Sequence, residues 1–299
     1  MAAPWTDVPP QHGRRYVVTG ATSGIGLVTA QVLVRRGAEV VLAVRNPDKG
    51  AEAASTMTGP GRAVVEQLEL SDLSSVRACA RRITERFDGV DVLVNNAGVL
   101  GVPRRDSVDG HEVHLATNHL GHHALSLLLL PTLRDRVVVV SSTAHRHGHL
   151  DLDDLAWERR RYGVHHAYAA SKLANLLFLG ELQRRLTAAG STLRAVGAHP
   201  GTTATAITSG SGNPVATAVG AFGHKLFGMP SWRGALPSLY AATLDLPGNS
   251  YVGPDGPGEM FGWPVLVGRS REASDPALAA ECWRVSEELT GVGWPLSPR

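Results

Sequence analysis

Short, almost wholly apolar runs alternate along this chain with longer segments whose apolar residues recur every three to four positions. The first kind reads as strands buried on both faces, the second as helices packed by one face. Residues Arg15–Thr19 predict a strand, and GIGLVTAQVLVRRG from Gly24 predicts a helix that ends at Gly37. A strand at 38–44, a helix near 48–57, a strand near 63–68 and a helix over 72–87 follow, with Asp72 as the N-cap of the last. Then come the strand that opens VDVLVNNAG, a long helix near 108–130, a valine-rich strand at 136–140, and a leucine-rich helix that carries YAASK at 168–172. Strands alternating with helices at this spacing mean βαβ units. The prediction is therefore an α/β chain, a doubly wound parallel sheet of about seven strands flanked by helices.

Beyond Gly201 the pattern loosens. Residues 202–228 are rich in Ala, Gly, Ser and Thr and then add Phe222, Leu226 and Phe227, so 202–245 reads as an apolar lid over a cleft. A helix is expected at 231–244, a last short strand at 251–253, a packed loop in GPDGPGEMFGWPVLVG and an amphipathic helix at 275–289. Residues 1–13 read as a flexible N-terminus and 254–299 as a C-terminal extension. No proline- or serine-rich linker divides the chain before its C-terminal third, so 1–299 is expected to form one domain.

Composition narrows the function classes. The 299 residues are 43% hydrophobic and 19% charged, with a formal net charge of +2 and no basic stripe interleaved with aromatics, which argues against nucleic acid as partner. Cys79 and Cys282 are the only cysteines and form no CxxC, which excludes a disulfide framework and fits a reduced, cytoplasmic setting. The N-terminus has no apolar run, and the longest apolar stretch, near 125–133, is far short of a bilayer span. Neither a leader nor a membrane anchor is expected.

Candidate chemistry gathers where strands end. Between the first strand and helix lies TGATSGIG, a place where backbone N–H groups and a helix N-terminus can receive a pyrophosphate. Gly20 permits the turn, Gly24 lets the backbone approach phosphates, and Gly26 lets helix pack on strand. The spacing is not GxGxxG. At the end of the second strand, where an acidic residue would favour a 2′-hydroxyl, the chain has Arg45, which can pair with a 2′-phosphate and favours NADP(H) over NAD(H). Asn95, Ala97 and Gly98 end another strand, Ser141 and Ser142 a third, and Asn118 sits inside a helix, an unfavourable place that calls for a reason. Tyr168 and Lys172 lie one helical turn apart on one face. A cation beside a phenol favours phenolate, so Lys172 is expected to pull the Tyr168 pKa down and make it a general acid and base.

TGATSGIG, NNAG, the helical asparagine, the serine pair, YAASK and His199-Pro200-Gly201 occur in an order that resembles the short-chain dehydrogenases/reductases, with a Rossmann-like fold. TNHLGHHAL, SSTAH and DLDDLAWERRR make the chain most similar to the branch of retinol dehydrogenases and protochlorophyllide reductases. The resemblance implies that Gly20, Ser23, Gly24 and Ile25, with Gly26 behind them, line a pyrophosphate loop, and that Arg45 meets the adenosine phosphate. It places Glu69 and Leu70 near the adenine, where related sequences often have an aspartate; Asn95, Ala97 and Gly98 beside the adenosine ribose; and Pro200, Gly201 and Thr205 at the nicotinamide. Asn118, Ser142, Tyr168 and Lys172 would form a catalytic tetrad, with Ser142 matching the second serine of the family's pair. Tyr168 and Lys172 would also touch the cofactor. In reduction, Tyr168 would protonate the carbonyl oxygen, Ser142 would hold it, Lys172 would favour tyrosinate and bind ribose, and Asn118 would fix a water. The implied activity is NADP(H)-dependent interconversion of an apolar aldehyde or ketone and its alcohol. C=C reduction is disfavoured because neither cysteine lies near the site in sequence. A homodimer or homotetramer is also implied, with the leucine-rich helix at 125–130 and the Tyr168 helix packing between subunits.

Competing readings come from other classes. His145, His147 and His149 alternate, so an extended segment would put them on one face as ligands of a zinc hydrolase, although no HExxH helix or cysteine ligand accompanies them. A module that binds NADP(H) without catalysis would not need Tyr168 as a proton donor. A dehydratase or epimerase relative would carry TGxxGxxG, which is absent here. No metal is expected.

Overall fold

The computed structural model describes residues 5–202 and 229–296. Their strands form one sheet of eight in the order β3-β2-β1-β4-β5-β6-β7-β8. These are β1 (Arg15–Thr19), β2 (Glu39–Val44), β3 (Arg62–Gln67), β4 (Val90–Asn95), β5 (Leu133–Val140), β6 (Arg194–Ala198), β7 (Tyr251–Pro254) and β8 (Pro264–Leu266). All neighbours run parallel except β7 and β8. The expected seven parallel strands are therefore right in kind, and the eighth is a correction. Its segment, Pro264-Val265-Leu266, is too short to show a period and follows Gly262, so the sequence reads as a packed loop.

The helices are α1 (Gly24–Arg35), α2 (Pro47–Ser55), α3 (Leu73–Arg86), α4 (Val113–Leu115), α5 (Gly121–Leu129), α6 (Val164–Ala188), α7 (Ser231–Gly234), α8 (Leu236–Thr243) and α9 (Pro276–Thr290). Side-chain caps set several starts: Asp72 accepts from Ser74 and Ser75 N–H at 2.9 and 3.2 Å, and Asp275 from Ala277 and Leu278 N–H at 2.8 and 3.1 Å. The helix expected at 231–244 is two, because Pro237 cannot continue the hydrogen-bond ladder. The long helix expected from 108 begins at Val113 and joins α5 through a π-helical turn, Ala116–Leu120, that contains Asn118.

One side of the sheet packs on α3, α5, α6 and α9, the other on α1 and α8. Leu125, Leu127, Leu129 and Leu130 are buried, and α6 is buried nearly all round with α9 against it. The surfaces expected to lie between subunits are thus used inside the chain. No described helix is long and apolar enough to cross a membrane. Both thiols are free and buried, and burial pushes each up to about 12.

His123 is an anomaly in this core. Its ring lies 5.4 Å from Phe178 and 5.1 Å from Trp283, and neither ring nitrogen has a hydrogen-bond partner among the described residues. Burial holds its pKa well below the usual histidine value. The unfolded chain therefore binds a proton below about pH 6.5 that the folded chain does not, and stability falls as pH drops. His123→Phe is expected to raise stability at pH 7.5 by roughly 1–2 kcal/mol. It should also remove up to about 1.4 kcal/mol per pH unit from the acid slope. Denaturant midpoints at pH 7.5 and 5.5 check both; a loss of stability at each pH would show that the core needs the imidazole.

Candidate active site

Most of the predicted site residues that are described lie at the carboxyl ends of strands or just beyond. Gly20 follows β1 with φ +68°, and a Cβ there would stand 2.9 Å from the Ala97 Cβ, so the turn and its neighbour both require glycine. Ser23 is the N-cap residue of α1 but makes no side-chain cap bond, and Gly24 and Ile25 open the helix. A Cβ on Gly26 would fall 2.4 Å from the Asn96 Nδ2 and 2.5 Å from the Gly20 carbonyl oxygen. Arg45 follows β2 with its side chain 75% exposed, and its Nε is 3.8 Å from a Glu69 oxygen. Glu69 is otherwise occupied: one carboxylate oxygen accepts from the Ser71 N–H and hydroxyl, at 3.0 and 2.8 Å. Leu70 is buried beside it.

Asn95 is placed differently from its neighbours. It is 2% exposed, and its amide donates to the Ser126 hydroxyl at 2.8 Å, which pins β4 to α5. Asn96, passed over in the sequence, instead donates from Nδ2 to the Thr19 carbonyl at 2.8 Å. The Thr19 hydroxyl accepts from the N–H groups of Asn96 and Ala97, both at 2.9 Å. Thr19 joins the ends of β1 and β4, and a hydroxyl as the last residue of a strand was the available signal.

The second group converges from three elements. Asn118 Oδ1 accepts from the Val99 N–H at 2.7 Å, while its Nδ2 donates to the Val99 carbonyl at 3.0 Å and the Ser171 hydroxyl at 2.9 Å. A Cβ on Gly98 would stand 3.2 Å from Asn118 Oδ1 and 3.4 Å from Lys172 Nζ, which locates all three together. Lys172, 4% exposed, donates from Nζ to the Val140 carbonyl at 3.2 Å and lies 5.7 Å from the Tyr168 ring centroid. The serines divide their tasks: Ser141 donates to the Lys172 carbonyl at 2.8 Å and ties α6 to β5, whereas the Ser142 hydroxyl lies beside the Tyr168 phenol. His145 holds the Ser142 carbonyl, with Nδ1 at 2.6 Å.

Electrostatics corrects one expectation. Burial raises the Tyr168 pKa, opposed by the Ser142 hydroxyl, and burial lowers Lys172 to about 8. Desolvation disfavours the charged form of both groups and is the largest cause of each shift. The Tyr168 phenol is therefore held protonated in this environment.

Pro200 and Gly201 follow β6, and the Thr202 N–H donates to the Met260 carbonyl at 2.7 Å. Thr205 and most of the expected lid lie outside the described residues. The alternating histidines do not share an extended strand: residues Thr143–His147 form a 3₁₀ turn, and His145 faces inward while His147 is exposed. Among the described residues no group of three His, Cys, Asp or Glu side chains is placed to hold a metal ion.

The family model described as short chain dehydrogenase matches residues 14–214. The chain belongs to the short-chain dehydrogenase family. Human retinol dehydrogenase 13 is 36% identical over 297 residues, which cover 95% of this chain and 86% of the relative. An uncharacterised protein of Mycobacterium paratuberculosis has a crystal structure that superposes with a TM-score of 0.85 at 49% identity, covering 98% of this chain and 100% of the other. The Pseudomonas aeruginosa RhlG/NADP active-site complex superposes with a TM-score of 0.60 at 26% identity, covering 78% and 91%.

Short-chain dehydrogenases use NAD(H) or NADP(H), and the residues here fit such a group. The uncapped Ser23 at the start of a twelve-residue helix and the exposed guanidinium of Arg45 supply donors for phosphates, and Gly26 lets the loop that presents them close on Gly20 and Asn96. Gly26→Ala is expected to force Asn96 off Thr19, weakening dinucleotide affinity at least tenfold and lowering stability by about 1–3 kcal/mol. Fluorescence titration with NADPH and thermal melts check it; unchanged affinity would show that the loop is not the binding surface.

Proposed function

We propose that this short-chain dehydrogenase is an NADP(H)-dependent oxidoreductase that interconverts an apolar aldehyde or ketone and its alcohol. The observation that carries the reading is the convergence of Tyr168, Lys172 and Ser142 at the carboxyl edge of β5, with the phenol protonated and buried. Bound beside them, the nicotinamide would supply or take the hydride. Gly20, Ser23, Gly24, Ile25 and Gly26 would hold the pyrophosphate on the N-terminus of α1. Arg45 would exchange its weak, exposed pairing with Glu69 for a bidentate contact with the 2′-phosphate. Leu70, Ala97 and Gly98 would border the adenosine half, and Pro200 and Gly201, with Thr205, the nicotinamide half.

In reduction, Tyr168 gives its phenolic proton to the carbonyl oxygen while Ser142 donates a hydrogen bond to the same oxygen and orients it. Lys172, 5.7 Å from the Tyr168 ring centroid and buried with it, stabilises the resulting phenolate in surroundings where a charge is worth more than in solvent. Asn118 keeps the path for the returning proton in place. In oxidation, the same residues run in reverse, with Tyr168 taking the proton. The apolar character of the substrate is supported by the likeness to a retinol dehydrogenase over nearly the whole chain.

The test is NADPH consumption with a panel of lipophilic aldehydes, ketones and quinones, run beside NADH. Tyr168→Phe should lower kcat at least a hundredfold while leaving NADPH binding within a few-fold. Arg45→Ala should raise the KM for NADPH about tenfold and leave that for NADH almost unchanged. Turnover that survives Tyr168→Phe would overturn the mechanism, and equal effects on both cofactors would overturn the NADP(H) preference.

A further inference from the structure

His122 is 3% exposed and lies between the two halves of the site without belonging to either. Its Nδ1 is 3.1 Å from the main-chain carbonyl oxygen of Asn118, and its Nε2 is 2.9 Å from the Thr19 hydroxyl oxygen. The tautomer follows from its neighbours. A carbonyl can only accept, so Nδ1 carries the hydrogen. The Thr19 oxygen already accepts from Asn96 N–H and Ala97 N–H, so its own hydrogen is the one left to give. Of its two acceptors, His122 Nε2 is closer than the Val94 carbonyl at 3.4 Å. A neutral ring with one donor and one acceptor satisfies every group. Burial, with Lys172 and His119 nearby, keeps it neutral by pushing its pKa down to about 3, although the bond to Asn118 acts in the other direction.

The position of Asn118 makes this contact consequential. Its side chain is held by Val99 and Ser171, and its main chain lies in the π-helical turn, where N–H groups run one residue out of step with the usual ladder. We propose that His122 is a positioning residue: it orients the Asn118 peptide through Nδ1–H and locks that peptide, through Thr19, to the Asn96–Ala97 turn. A single side chain thus keeps the Asn96–Ala97 turn and the Asn118 peptide in register. This rests on the reading of Asn118, Tyr168 and Lys172 given above.

Two variants separate positioning from packing. His122→Phe fills the space without polar atoms, whereas His122→Asn keeps an N–H near the position of Nδ1. His122→Phe is expected to lower kcat about tenfold with substrate KM within about threefold, and His122→Asn to recover most of that loss although it leaves the Thr19 hydroxyl without its ring acceptor. If the two variants lose kcat equally, or neither loses any, the proposal is overturned. The NMR spectrum of the wild type selectively labelled with 15N-histidine and carrying NADP⁺ tests the same inference without turnover: a His122 resonance pair of the neutral Nδ1–H form is expected, and the Nε2–H form would overturn it. Wild-type protein that turns over no carbonyl while showing the Nδ1–H form would count against the proposed function and leave the His122 lock standing.

Discussion

The site depends on an ammonium group kept away from water. Lys172 sits on a helix that is buried nearly all round, so it cannot turn outward as surface lysines do. Its one hydrogen bond within the described protein is to the Val140 carbonyl, and burial makes the charged form costly. Whatever negative charge arises beside it is correspondingly favoured, and the nearest group able to develop one is the Tyr168 phenol. The two groups lie 5.7 Å apart, Nζ to ring centroid, so the proposed mechanism requires a phenolate formed there to be held by the lysine.

Holding that pair in place is the task of the surrounding fold. Ser141 bolts the Lys172 backbone to the end of β5, leucines of α6 fill the core, and α9 closes the outer face. The cofactor side is built on another principle. Its glycines remove side chains where chain segments touch, and its charged residue, Arg45, is solvated and loosely paired. A dry half around Lys172 and Tyr168 beside an open, polar half suits the proposed role, in which a dinucleotide is admitted and released while the phenol stays fixed.

Much of this was legible from residue order. Apolar runs located six of the seven strands that pair in parallel, all but β6, and the Gly, Asn and Ser residues that end several of them placed candidate groups at carboxyl ends. The β8 strand was not legible, because its three residues carry no period and its pairing with β7 is a tertiary event. The Tyr168 shift had the wrong sign because spacing reveals the neighbouring lysine but not the burial that dominates it. The competing histidine reading has no shared face to stand on: alternation implies one face only in an extended chain, and the path of Thr143–His147 is instead set by the 3₁₀ turn that Ser142 caps. Thr19 and His122 escaped notice because each acts through hydrogen bonds to residues far away in sequence.

The central claim is that, with the dinucleotide bound, Lys172 lowers the Tyr168 pKa against the burial that raises it. The direct measurement is the ultraviolet titration of tyrosinate in the protein with NADP⁺ bound, using Tyr168→Phe to isolate the Tyr168 signal and Lys172→Met, similar in length and apolar, to remove the charge. Tyr168 is expected to ionise at least one pH unit lower in the wild type than in Lys172→Met. An ionisation that stays where it is when the lysine is removed would contradict the claim.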